Sequence, residues 1–131
     1  MFSQPLKSVF ANLPVRACYL YGSQTEGGAG PKSDYDLAVI VEDKNKIYYR
    51  ELLAKIGESF LQTEKLHPTI VDLATSSPLL LFQIIKKGRL LYERQPGDHI
   101  RLESVIMRLY FDDQYRSSIY YQKLKDNYGG R

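Results

Sequence analysis

Tryptophan is absent from the 131 residues, cysteine occurs once and histidine twice. A single Cys18 excludes a disulfide framework within the chain, and its place inside the apolar run from Val15 to Tyr21 marks it as a small core residue. The two histidines exclude a zinc-type centre. His67 stands next to Pro68, His99 falls in the first turn of an expected helix, and neither has a Cys or His partner at metal-site spacing, so both are expected on the surface. Charge of one sign is also scarce. The 18 basic residues against 15 acidic ones leave +3, too small an excess to argue for direct nucleic-acid binding. No apolar run approaches the roughly 18 residues of a membrane span, and no basic n-region with an apolar h-region opens the sequence. A cytoplasmic protein without membrane contact is the expectation. GxSxG and HExxH motifs, internal repeats, low-complexity tracts and linkers are missing as well. What remains is 44% hydrophobic and 25% charged with 11 tyrosines, the composition of a globular protein of a size that suits one domain over 1–131.

The stretch from Gly22 to Asp36 carries the chemistry. Val15 to Tyr21 and Leu37 to Val41 are short, apolar and rich in Val, Ile or Tyr, which reads as two strands. Only the twelve-residue loop Gly22 to Ser33 separates the first strand from the second, which is entered at Asp34, tight for a helical crossover, so the pair is expected to be antiparallel. Asp34 and Asp36 are two apart at the mouth of the second strand and therefore share a face. Two carboxylates held together repel, and a hard divalent cation such as Mg²⁺, shared with substrate phosphates, relieves the repulsion. Glycines in the loop let backbone approach a ligand, and Ser23 adds a hydroxyl for an anion. The loop is neither a Walker A motif nor a dinucleotide fingerprint. Taken alone, a glycine-rich loop or an acidic pair at a strand start is more often a solvated turn; together, at this spacing, they point to a nucleotide site.

Around that loop the chain reads as a mixed α/β (α+β) domain. Leu6, Val9 and Phe10 suggest a short opening helix, ended by Pro14. Tyr48, Leu52, Ile56 and Phe60 recur four apart on a second helix. Thr69 to Leu73 reads as a third strand with Asp72 as one acid inside an apolar run. An acid there either caps the strand end or is held by a metal. Ser77-Pro78 opens a helix that Gly88 closes, Arg89 to Glu93 makes a short strand, and Asp98 is placed to cap a long final helix of about 98–125. Tyr110, Tyr115, Tyr120 and Tyr121 on that helix mark it as a docking surface for another protein.

Gly22-Ser23, ten residues, then Asp34-x-Asp36 resembles the signature of the polymerase-beta-type nucleotidyltransferases, in particular the minimal nucleotidyltransferase (MNT) antitoxins paired with HEPN-domain ribonuclease toxins. The likeness runs on through the leucine-rich helix, Lys86-Lys87-Gly88 and Leu90-Leu91-Tyr92-Glu93, covering roughly Ser8 to Glu93. It implies a polymerase-beta-like fold, with a small mixed sheet and flanking helices. Catalytic, metal-binding acids would be Asp34, Asp36 and Asp72, holding two Mg²⁺ ions. The nucleotide, ATP, would lie on Gly22, Ser23, Gly27 and Ser33. The resemblance further implies AMP transfer to a tyrosine hydroxyl of the HEPN toxin, which is thereby silenced in a hetero-oligomer. One departure is that Gln24, Thr25 and Glu26 stand where many members carry an arginine, which leaves triphosphate binding to Lys32 or another base. Two alternatives stay open: transfer to a small hydroxyl compound such as an aminoglycoside, and an antitoxin that acts by contact alone.

Overall fold

The computed structural model describes residues 9–10, 13–21, 35–43, 49–59 and 66–129. Four strands, β1 (Val15–Tyr21), β2 (Tyr35–Val41), β3 (Leu66–Val71) and β4 (Arg89–Glu93), form one sheet in the order β3-β2-β1-β4. As the short connection requires, β1 and β2 are antiparallel; β4 also runs antiparallel to β1, whereas β3 is parallel to β2. The β2–β3 connection contains α1 (Tyr49–Ser59), long enough for a crossover. Helix α2 (Pro78–Lys87) joins β3 to β4, and α3 (Asp98–Leu124) closes the fold, ending in a π-helical turn, Lys125–Gly129.

Strand periodicity divides the core into two layers. Val15, Cys18, Leu37, Val39 and Val41 face one way and bury Leu52 and Ile56 of α1 together with Val9 and Phe10. Ala17, Tyr19, Ala38, Ile40 and Val71 face the other way, against Leu81 and Ile84 of α2 and Leu102 and Ile106 of α3. The four-residue spacing of Leu52 and Ile56, and of Leu102 and Ile106, puts each pair on one helical face. Tyr48, Phe60 and Leu6 lie outside the described residues. A register shift between Val15 and Ala17 marks a bulge at Arg16. Arg16 lies 3.2 Å from Asp98 across the sheet end. Tyr19 is buried, and its hydroxyl is satisfied by donating to Glu103 of α3 at 2.7 Å. Burial first, then the Glu103 carboxylate, pushes that hydroxyl far above the usual phenol range.

Helix caps follow the sequence at α2 and depart from it at α3. Ser77 accepts from the Leu80 N–H, and Pro78 occupies the first turn, where its missing N–H costs nothing. Gly88 donates to the Ile84 carbonyl, yet its φ of −83° is open to any residue. Glycine is needed there for space, because a Cβ would sit 2.4 Å from the Ile84 oxygen and 3.2 Å from Tyr19 Cβ. At α3 the cap position is Gly97, with φ 85°, and Asp98 belongs to the first turn, so the expectation that Asp98 caps the helix is corrected. The capping acid comes from β4 instead. Glu93 accepts from the N–H groups of Gly97 (3.0 Å) and His99 (2.9 Å), and its carboxylate also pairs with the His99 ring. His99 is thus a paired side chain within a helix start, where the sequence suggested a plain surface residue.

β3 also departs from expectation. It begins at Leu66 and ends at Val71, so Pro68 lies inside it while Asp72 and Leu73 lie beyond it. Pro68 is tolerated because β3 is an edge strand, where a missing N–H interrupts no second ladder.

Candidate functional site

Asp36 opens the description of the site, since it is the described member of the acidic pair. It lies on β2, register partner of Tyr21 on β1 and of His67 on β3, and is half-buried at the sheet end from which the Gly22 to Asp34 loop departs. It has the parity of Ala38 and Ile40, so its side chain leaves the sheet on the α2/α3 side, past the last layer of that core. A carboxylate at a strand start, flanked by a phenol and an imidazole and half open to water, is accessible to a cation. Gly22, Ser23, Gly27, Lys32, Ser33 and Asp34 lie outside the described residues.

Asp72 is placed differently. In the parallel register Asp36 faces His67 and Ile40 faces Val71, so Asp72 follows at the far end of the strand pair. Five residue steps at about 3.3 Å each put it roughly 16 Å along the strand from the level of Asp36. Its carboxylate is also committed. Thr75 donates to Oδ1 through its N–H (2.8 Å) and its hydroxyl (2.6 Å), while the Asp72 N–H donates to Ser76 Oγ at 3.0 Å. With no exposed surface, Asp72 organises the turn between β3 and α2. The structure therefore does not bring Asp72 to Asp36 as a third carboxylate. The reason is the strand end: Asp72 stands after the last paired residue, not within the strand.

The positions of β3 that do share the face and level of Asp36 are His67 and, one pleat inward opposite Ala38, Thr69. Neither is an acid. Among the described residues, no three His, Cys, Asp or Glu side chains gather as a metal cluster. Sequence reasoning passed over His67 because it looked for a Cys or His partner. A signal was present nonetheless: His67 and Thr69 are two apart on a strand next to the acidic pair.

Two other features are set aside by size and chemistry. A polar pocket of about 170 Å³ is lined by Gln95, Pro96, Gly97, Asp98 and Arg101 at the start of α3. It is smaller than the roughly 300 Å³ or more that ligand pockets of nucleotide size occupy, and Glu93 already supplies an anion to that helix start. Cys18 is fully buried, and burial drives its thiol well above the usual range, so it offers no nucleophile. Among the described residues, no helix is long and apolar enough to cross a membrane.

A four-stranded mixed sheet with an acid at the mouth of β2, next to a glycine-rich loop, is the arrangement of a nucleotidyl-transfer domain. The family model described as polymerase beta, nucleotidyltransferase matches residues 4–97, and the chain belongs to that family. Among curated proteins it is similar to the protein adenylyltransferase MntA of Shewanella oneidensis, 30% identical over 96 residues that cover 72% of this chain and 67% of MntA. Solved structures share the fold. A toxin–antitoxin crystal structure with AMP-PNP has a TM-score of 0.62 at 22% identity, covering 92% of this chain and 95% of that one. The tri-AMPylated Shewanella oneidensis HEPN toxin in complex with MNT antitoxin gives 0.51 at 24%, covering 85% and 84%.

Proposed function

We propose that this chain is an antitoxin that transfers AMP from ATP to a tyrosine hydroxyl of a HEPN-domain toxin. The observation that carries the reading is Asp36, half-open at the mouth of β2 beside the Gly22 to Asp34 loop, in a chain 30% identical to a protein adenylyltransferase. In this reading Asp34 and Asp36 hold the divalent cation, with Mg²⁺ the expected ion, and Gly22, Ser23, Gly27 and Ser33 cradle the phosphates. Bound there, the cation neutralises phosphate charge and stabilises the oxygens that gain charge in the transition state. The residues position the triphosphate so that the incoming hydroxyl lies in line with the α-phosphorus. The phenol oxygen bonds to that phosphorus, the bond to the β-phosphate oxygen breaks, pyrophosphate leaves and the phenol proton passes to solvent. Cys18 is sealed in the core and offers no nucleophile, and in this reading the attacking hydroxyl is the partner's. AMP adds negative charge and bulk to the toxin, which opposes RNA binding.

Among the described residues Asp36 is the one carboxylate at this sheet end, so ligands for a second ion would come from outside them. The carboxylate required on the neighbouring strand for a second ion is absent from the positions that β3 sets beside Asp36. That same observation favours a second reading, neutralisation by contact alone. Intact mass of a co-expressed HEPN partner decides between them: increments of one AMP, lost on Asp36→Asn while the complex persists, support transfer. Full neutralisation by Asp36→Asn supports contact.

Contact in either case falls to α3. Its 27 residues span about 40 Å, and beyond the stacked pair Phe82–Tyr110, with ring centroids 4.0 Å apart, exposed Phe111, Tyr115, Tyr120 and Tyr121 continue along the helix. Tyrosine and phenylalanine held on a rigid helix are strong interface anchors. The double variant Phe111→Ser with Tyr115→Ser should lower Tm by no more than a few degrees, since both rings are exposed and only Phe111 touches other rings, and weaken co-purification with the partner. Undiminished co-purification would place the contact elsewhere.

A further inference from the structure

Helix α3 sorts its charges by side. Two of its acids are held against the domain, Asp98 by Arg16 and Glu103 by the buried Tyr19 hydroxyl. Its cations are turned outward. At about 100° per residue, Arg101, Arg108, Arg116 and Lys123 fall within one quarter of the helix circumference, and all four are exposed. None of them forms an ion pair among the described residues, not even with Asp112, the one acid of α3 on that side. Beside this row, roughly 33 Å long at 1.5 Å per residue, runs an apolar stripe. Ile100, Met107, Phe111 and Tyr115 are exposed there, and Phe111 is seated against the Tyr110 ring at 5.6 Å between centroids.

An apolar stripe bordered by cations without counter-charges asks for an apolar groove edged by carboxylates. Nucleic acid fits less well: phosphates would answer the arginines but leave Ile100 and Met107 in water, and the whole chain carries only +3. A second copy fits less well too, since it brings more free cations than free acids to the contact. We propose that the HEPN partner docks along α3 through an acid-edged groove, with the apolar stripe inside it and Arg101, Arg108, Arg116 and Lys123 facing carboxylates on its rim. The inference rests on the reading of this chain as a HEPN antitoxin and deepens it by giving the chemistry of the surface that is recognised. The two parts of the contact then divide the work. Apolar burial sets how long the complex lasts, whereas rim charges steer the encounter and make its rate depend on salt.

Biolayer interferometry of the full chain on the purified HEPN partner, without ATP, reads association and dissociation separately and independently of AMP transfer. Association of the unaltered chain should slow at least about 10-fold between roughly 50 and 500 mM NaCl. Arg108→Glu with Arg116→Glu should slow it about 10-fold at the lower salt and flatten the salt dependence, with dissociation changed by less than about 3-fold. Asp112→Lys extends the row and should speed association. Phe111→Ser with Tyr115→Ser should instead speed dissociation and keep the salt dependence. Circular dichroism confirms that the variants are folded. Association that ignores salt, or that charge reversal does not slow, overturns the inference. So does binding of a fluorescent oligouridine that Arg108→Glu with Arg116→Glu abolishes while HEPN association is unchanged, because the row then serves nucleic acid. Intact mass of the partner after incubation with ATP keeps the two levels apart. AMP increments with charge-insensitive association leave the transfer reading standing and this inference fallen; charge-sensitive association without AMP increments does the reverse; no association at all sinks both.

Discussion

The two ends of the sheet treat their acids in opposite ways. At the end where β1, β2 and β3 start or stop near Val15, Val41 and Val71, every described acid is matched. Asp72 is closed by Thr75, Glu42 pairs with Arg94, Asp98 with Arg16, and Glu93 with the start of α3 and the His99 ring. At the loop end, Asp36 stands half-open between Tyr21 and His67. Saturated acids hold turns and helix starts in place. The half-open one is the acid that the proposed function assigns to the cation, whereas the others are tied to a turn, two arginines and a helix start.

The sharpest way to break that contrast is to neutralise one acid at each end. Asp36→Asn should lower AMP transfer to the partner on the order of 100-fold or more, as losing an electrostatic anchor of the transition state does, with Tm nearly unchanged. Asp72→Ala should do the reverse. It strips the Thr75 N–H and hydroxyl of their buried acceptor, which costs roughly 2–3 kcal/mol and lowers Tm by several degrees. Transfer per folded molecule and metal binding should stay as they were. Thermal melts with intact-mass kinetics read both. If Asp72→Ala keeps its Tm and loses metal, the far end belongs to the site after all.

Why the loop end was legible in sequence, and the other end less so, is a matter of range. β1, β2 and their antiparallel pairing follow from alternation and a short connection, both local. Leu52 and Ile56 were legible from helical spacing, as was the Ser77-Pro78 start. The bounds of β3 were misplaced by about three residues at its start and two at its end, since an edge position that accepts Pro68 is a property of the sheet and not of the tripeptide, while the reading of Asp72 as a cap at the strand end holds. Glu93 as the cap of α3 depends on a carboxylate arriving from the preceding strand, and sequence suggested the adjacent Asp98. His67 beside Asp36 depends on the parallel register, fixed through the α1 crossover and invisible in either strand alone.

The smallest expected effect tests the saturated end by acidity. N–H donation from His99 and then Gly97, with the His99 ring behind them, holds the Glu93 carboxyl below its usual value of 4.5. A carboxyl more acidic in the folded chain than in the unfolded one stabilises the fold above its unfolded pKa. That contribution is lost as pH falls through the depressed folded value. Glu93→Gln retains an acceptor oxygen for one N–H but no charge for the helix start, so its Tm should be modestly lower at pH 7. The gap to the unaltered chain should narrow as pH is taken from about 5 down towards 3, where both carry a neutral group at residue 93. Melts across that range, in the absence of nucleotide, measure the gap directly. A gap that stays constant, or widens on acidification, would show that Glu93 acts by packing alone and that its charge does not secure α3.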